Sequence, residues 1–260
     1  MTLSDAELAR YARHIVLREV GGAGQLALKR ACVLVVGAGG IGSPAIQYLA
    51  AAGVGRLSVY DDDVVEASNL QRQTIFATTD EGTGKAAAAA ARALAINPHV
   101  AIGPHPARLT ADVLADALAG IDVVLDGCDN FATRLAVADA AQAARVPLVS
   151  AAVDQFEGQL AVYRGWEADK PCYRCFVGSD PQREGVTCAD SGILGPVAGI
   201  LGSMAALEVL RAIHPFGDDP AGTLLLADLL GSRFRTIRVP KDPGCPACGT
   251  ASLSYTAPIA

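Results

Sequence analysis

The sequence predicts an α/β fold, Rossmann-like and doubly wound, in which a mainly parallel sheet is continued by antiparallel strands. Three observations predict it. Short, wholly apolar segments such as "CVLVV" (32–36) lack the in–out alternation of a half-exposed strand, so they belong in a sheet covered on both faces. Helical segments alternate with such strands as far as residue 150. A glycine-rich turn, "GAGGIG" (37–42), joins a strand to a helix where a dinucleotide-binding βα unit carries its phosphate turn.

The elements follow in order. Ser4 with Glu7 three residues on makes a capping box and opens an N-terminal helix over residues 1–20, which "GGAG" is expected to stop. After "CVLVV" and the glycine turn comes the helix "SPAIQYLAAAG", then the strand "RLSVYD". "KAAAAAARALAI" (85–96) is helical by propensity and ends at Asn97–Pro98. "HVAIGPHPA" reads as an edge strand, "LTADVLADALAG" as a helix capped by Thr110, and "IDVVLDGCD" as a buried strand. The helix "NFATRLAVADAAQAAR" and the strand "VPLVSAAV" complete the parallel part. Beyond it, "EGQLAVYRG", "GTLLLADLL" and "RFRTIRVP" resemble antiparallel strands, and "GPVAGILGSMAALEVLRAI" is the last long helix. The polar stretch 178–192 reads as a mobile loop. We read 1–260 as one domain, with a nucleotide-binding half over 30–150 and a second half, over 151–250, for a partner and a metal.

Bulk properties narrow the function. Half of the residues are apolar and 18% are charged, which suits a well-buried core. The net charge of −6 lacks the basic footprint of nucleic-acid binding. The polar N-terminus is neither signal nor transit sequence, and the apolar run 192–207, too short to span a bilayer, reads as a buried helix. A cytoplasmic protein is the expectation, with no membrane and no nucleic acid among its partners.

In the glycine turn Gly37 permits the tight bend, Gly39 lets a phosphate approach the backbone beside Gly40, and Gly42 allows close helix–strand packing. Asp61, ending the next strand, is placed to hold ribose hydroxyls. NAD is the usual occupant of such a site. The segment "YDDDVVEASNLQRQ" (60–73) carries more polar equipment than a resident cofactor needs. Arg72, and Lys85 at the start of its helix, are cations that can embrace a triphosphate, and Asp126 and Asp129 close a strand where doubly wound proteins bind ligands. A carboxylate there beside phosphates is a natural magnesium ligand. Taken singly, these are a surface arginine, an unremarkable lysine and a helix cap. Together they suit attack on an α-phosphate with pyrophosphate leaving.

Of seven cysteines, four form C-x-x-C pairs: Cys172 with Cys175 and Cys245 with Cys248. Two chelating loops of this kind make a closed thiolate site for structural zinc. Two redox pairs are the alternative, but neither stands in a thioredoxin-like context.

These motifs resemble the ThiF/MoeB/HesA family of ubiquitin-activating-enzyme-like adenylyltransferases, and within it the molybdopterin-synthase adenylyltransferases. The matching stretches include "RYARHIVLREVG", "VVGAGGIGSPAIQYLAAAGVGRLSVYDDD", "SNLQRQ", "DVVLDGCDNFATR", "CYRCF", "TCADSGILGPVAGILGSMAALEVL" and "PGCPACG", in order over residues 10–249. The resemblance implies ATP-dependent adenylation of the C-terminal glycine of a small ubiquitin-fold sulfur carrier ending in Gly-Gly. The acyl adenylate and pyrophosphate form ahead of a thiocarboxylate, in molybdopterin, thiamine or another sulfur-carrier pathway. Gly39, Asp61, Asp63, Asn69, Arg72, Lys85 and Asp129 match ATP-site positions, which Gln73 and Asn130 flank, and Asp129 would hold Mg2+. Arg13 matches an arginine that reaches ATP from the partner subunit, so a homodimer is implied. Cys188 matches a cysteine that takes up the activated carrier or sulfur in some members only. The 260 residues include no sulfurtransferase domain, so a separate sulfurtransferase or cysteine desulfurase is expected to supply sulfur. A NAD-binding oxidoreductase and a non-catalytic carrier-binding scaffold are the readings of other classes.

Overall fold

The computed structural model of the chain describes residues 2–178 and 192–249. Ser4 caps α1 (Asp5–Arg10) through both bonds of the predicted capping box. The expected single helix to residue 20 does not form: the backbone turns at Tyr11, a short α2 (Ala12–Ile15) follows, and residues 16–20 are turn. The cause is Tyr11, which is buried against Gly53, where its ring leaves no room for a Cβ. "GGAG", expected to stop a helix, instead starts α3 (Gly21–Arg30). Packing overrides propensity there, because any side chain at Gly24 would meet the His214 ring at 2.7 Å.

The strands β1 (Cys32–Val36), β2 (Arg56–Tyr60), β3 (Ala101–His105), β4 (Val123–Asp126) and β5 (Leu148–Asp154) are parallel. They alternate with α4 (Gly42–Ala52), α5 (Lys85–Ile96), α6 (Ala111–Ala117) and α7 (Phe131–Ala144). After β5 the direction reverses: β6 (Glu157–Tyr163), β7 (Thr223–Asp228) and β8 (Arg233–Arg238) add antiparallel strands. The result is one eight-stranded sheet in the order β3-β2-β1-β4-β5-β6-β7-β8. The short α8 (Tyr173–Val177) and the long α9 (Gly195–Ile213) lie between β6 and β7 in sequence.

Alternate side chains of each central strand feed opposite cores. Val33 and Val35 face α4, α5 and α9, whereas Leu34 and Val36 face α6 and α7. Each core draws residues from both the parallel and the antiparallel part, so the two halves are fused through the sheet. Among the described residues α9 is the one helix long and apolar enough to cross a membrane. It packs on β5, β6 and α4, and buries Leu201, Gly202, Ala205 and Val209. Gly202 permits this contact, since a Cβ there would lie 2.4 Å from the Ile41 carbonyl oxygen. The edge strand β8 is exposed along its whole length.

Candidate nucleotide-binding cleft and metal centre

The chain runs outward from β1 in both directions across the sheet, so β1 and β4 flank a switch point, and the turns leaving them meet there. Gly37 has φ +86°, and a Cβ on it would press on the Gly127 carbonyl and Cys128 at 3.3–3.4 Å. Gly42 lies against the Gly37 carbonyl oxygen, only 1.9 Å from the position of an added Cβ. Gly39 differs: nothing comes within 3.7 Å of its missing Cβ, so its backbone faces an open cleft of about 730 Å³. Gly40 fits its Cα between Ala198 and the stem of Arg72.

Asp61 stands at the end of β2. One carboxylate oxygen accepts from the Ala38 N–H at 2.7 Å and the other from the Asp63 N–H at 3.0 Å. Burial raises its pKa, and these two donors with nearby Lys85 only partly oppose the rise. A lone pair on each oxygen remains for a ribose hydroxyl.

Lys85 is buried at the cleft floor, 5% exposed, with its ammonium 2.9 Å from the Asp63 carboxylate. The backbones are bonded too, Lys85 N–H donating to the Asp63 carbonyl. Arg72 lines the cleft above Gly40, steadied by a bond to the Ser68 carbonyl at 3.1 Å. Gln73 also lines it, with a buried side-chain oxygen that accepts no hydrogen bond. Asn69 does not reach the cleft: it is buried, its side chain accepts from the Glu66 N–H, and its carbonyl accepts from Arg72 and Gln73. Asn69 therefore shapes the turn that presents both neighbours.

The two aspartates at the end of β4 part company. Asp126, wholly buried, is taken up by the Arg134 guanidinium at 3.2 Å and the Ser150 hydroxyl at 3.0 Å, so it is no metal ligand. Asp129 is exposed on the cleft wall, as a hydrated cation requires. Asn130 caps α7 by accepting from the Thr133 N–H at 2.9 Å. Cys128 also lines the cleft, but burial and then the Asp126 charge push its thiol well up, which keeps it protonated.

Arg13 is exposed on α2 and is absent from the cleft wall. Its segment is anchored at the opposite end of the sheet: Tyr11 lies under Gly53, Arg10 bonds the Ile96 carbonyl, and the His14 partner Gln25 bonds the Ala52 carbonyl. All three anchors precede β2 or end α5, far from the carboxyl ends of the strands. Cys188 lies outside the described residues.

The second centre joins the start of α8 to the turn after β8. The sulfurs of Cys172, Cys175, Cys245 and Cys248 lie within 4.8 Å of one another, and all four are free thiols. The pairs Cys172–Cys245 and Cys175–Cys248 are 3.5 and 3.4 Å apart, and the Asp242 N–H donates to the Cys175 sulfur at 3.4 Å. The tight knuckle needs Gly249, where a Cβ would strike the Pro243 and Cys245 carbonyls. Four converging thiols fit a tetrahedral metal ion.

A doubly wound sheet with a glycine-lined cleft at its switch point and four converging cysteines that could hold a metal ion places the chain in the Rossmann class of folds. The chain belongs to the ThiF family, which matches residues 11–247. It is 44% identical to the sulfur carrier protein adenylyltransferase of Thermus thermophilus, over 96% of this chain and 93% of that one. It is 40% identical to the molybdopterin-synthase adenylyltransferase of Salmonella typhimurium, over 95% and 98%. The mouse adenylyltransferase and sulfurtransferase MOCS3 is 48% identical over 95% of this chain, which spans about half (54%) of the mouse protein's length. The solved structure of Escherichia coli MccB with ATP shares the fold, with a TM-score of 0.79 at 22% identity over 92% of this chain and 74% of that one.

Proposed function

We infer that the chain is an ATP-dependent adenylyltransferase acting on the C-terminal glycine of a small ubiquitin-fold sulfur carrier ending in Gly-Gly. Relatives so named, alike over nearly their full length, support the class of reaction. The observation that carries it to this site is Lys85, a buried ammonium balanced by Asp63 at the floor of a cleft that Arg72 overhangs. A cation held out of water by one exposed carboxylate is prepared for a second, larger anion.

In this reading Asp61 holds the ribose, and the triphosphate crosses the Gly39–Gly40 turn toward Lys85 and Arg72. The carrier's terminal carboxylate attacks the α-phosphorus. A carboxylate–phosphorus bond forms as the bond to the bridging oxygen breaks, and the electron pair leaves on pyrophosphate. Lys85 and Arg72 stabilise the charge that moves to the leaving group. Asp129 would hold Mg2+, which neutralises phosphate charge. Gln73 lines the same end, while Asn69 and Asn130 support it by fixing backbone turns. Zinc in the four-cysteine centre would be structural.

Arg13 stands too far from its own cleft to touch the nucleotide, which supports a homodimer in which each arginine completes the neighbour's site. The Salmonella relative's name favours molybdenum cofactor biosynthesis over a thiamine pathway. A cytoplasmic enzyme supplied with sulfur by a separate sulfurtransferase or cysteine desulfurase fits this role. Cys188 we read as a dispensable thiol.

Carrier-dependent exchange between ATP and labelled pyrophosphate is the test. Arg72→Ala and Lys85→Ala should each lower exchange by about a hundredfold or more without unfolding the protein. Tight NAD binding with no exchange under any carrier would overturn adenylation.

A further inference from the structure

We propose that Arg134 is a positioning residue for magnesium: it holds the β4–α7 turn in the one conformation that aims Asp129 at the bound metal. The inference rests on the reading of Asp129 as the magnesium ligand. Arg134 lies on the second turn of α7 and is 6% exposed, and its guanidinium spans three pieces of structure. It pairs with Asp126 at the end of β4, and it donates to the Ser150 hydroxyl at 2.8 Å and the Ala151 carbonyl at 3.0 Å on β5. It also donates to the carbonyl of Cys128, the residue before Asp129.

That last bond is the informative one. A buried ion pair between β4 and α7 needs only Asp126. Asp126 itself accepts the Cys128 N–H at 3.1 Å, so the Asp126–Arg134 pair grips both polar groups of the Cys128 backbone. Asn130 on the other side is fixed as the cap of α7. The carboxylate between them is exposed, yet its backbone is clamped on both flanks from within the protein. A metal ligand on a free turn would lose conformational entropy when it bound, and the clamp removes that cost beforehand. Burial, the largest single influence, lowers the Arg134 pKa, but Asp126 and smaller contributions from its other neighbours together outweigh it, so the guanidinium stays charged. Only a planar fork can serve so many acceptors at once, and lysine cannot replace it.

Removing Arg134 alone would leave Asp126 buried and unpaired, so two variants are compared. Arg134→Lys keeps the charge but cannot reach Ser150, Ala151 and Cys128 together. The double variant Asp126→Asn/Arg134→Gln removes both charges and keeps hydrogen-bonding groups. Thermal unfolding establishes that each is folded. Two readouts follow: affinity for Mn2+ as a magnesium probe, by electron paramagnetic resonance on the complex with a non-hydrolysable ATP analogue, and affinity for the same analogue in EDTA. We expect Mn2+ affinity to fall at least tenfold in both variants, analogue affinity in EDTA to stay within twofold, and amide exchange at residues 127–129 to speed up. A folded variant with unchanged Mn2+ affinity overturns the proposal and leaves Arg134 as a core ion pair. Asp129→Asn separates the underlying reading. If it lowers Mn2+ affinity while the Arg134 variants do not, the clamp is refuted and the metal ligand stands. If it does not lower it, the magnesium reading itself has failed.

Discussion

Glu7 is nearly buried beneath the turn it caps, and its carboxylate bonds Lys29 at 2.6 Å and both the N–H and the hydroxyl of Ser4 at 2.9 Å. The Lys29 bond, then the Ser4 N–H, hold its pKa at about 2 instead of the usual 4.5. Because the folded value is the lower one, this stabilisation is whole above about pH 4.5 and is lost as the pH falls toward 2. Glu7→Gln should therefore cost about 1 kcal/mol at pH 7, a near-surface pair being screened by water. Unfolding midpoints followed against pH should converge with the wild type below pH 4.5, and a gap that stays constant with pH would show that the charge is immaterial. At this scale the sequence was legible for Ser4 and Glu7, whose spacing names their bond, and for Gly37 and Gly42, whose spacing names their turn. It was not legible for Arg134, whose partners lie on two strands and one turn. The available signal was its place four residues after the cap Asn130, on the side of α7 that faces the sheet.

At the scale of elements, the four-cysteine centre ties α8 to the turn after β8. The Arg174–Asp139 pair holds α8 to α7, and the Lys241 ammonium holds the β8 turn to the Gly165 and Glu167 carbonyls. Cys172→Ser should abolish a metal content of one zinc per chain. The expected loss is about 3 kcal/mol, or ~10 °C in Tm at 2–4 °C per kcal/mol, with ATP affinity little changed. Metal analysis with calorimetry checks this, and a metal-free protein of undiminished Tm would refute it. Helices α5 and α9 could be read to the residue, because long apolar runs between Gly or Pro signals admit one interpretation. The start of α3 could not: Gly21 makes a left-handed bend at φ +59°, as a turn glycine does, but Gly24 serves the His214 contact and the helix runs on through both.

On the scale of the whole molecule, the arginine that should complete the site and the site itself lie at opposite ends of one sheet. Mixing Arg13→Ala with Asp129→Ala protein should restore up to about a quarter of wild-type exchange, since a hybrid dimer keeps one intact composite site. Dimers that exchange subunits yet regain nothing would confine Arg13 to a structural role. The strand order was implicit in the chain as far as β5, where each apolar strand is followed by a helix. Beyond it, the strand-like stretches from residue 157 on announced an antiparallel continuation, but the tight connection at 155–156 that makes the reversal was not legible, since Gln155 takes φ +48° without being a glycine. The division into two halves was readable as composition but not as packing, because both cores cross it.

The span between the two cysteine pairs has a consequence for biosynthesis. A protein leaving the ribosome emerges from its N-terminus, and residues 32–154 contain all the parallel strands and both walls of the switch point. Both cores also need β6 and β7, and one of them needs α9; these too emerge before the second chelating loop is made. A metal could be captured by all four cysteines only after residue 248 has emerged, so its capture would be a late event that fastens the turn after β8 to α8. If the centre holds a metal, scarcity of that metal during growth would leave nascent chains with a formed cleft and a loose far edge, a species that proteases should cut first near residues 172–175 and 245–248.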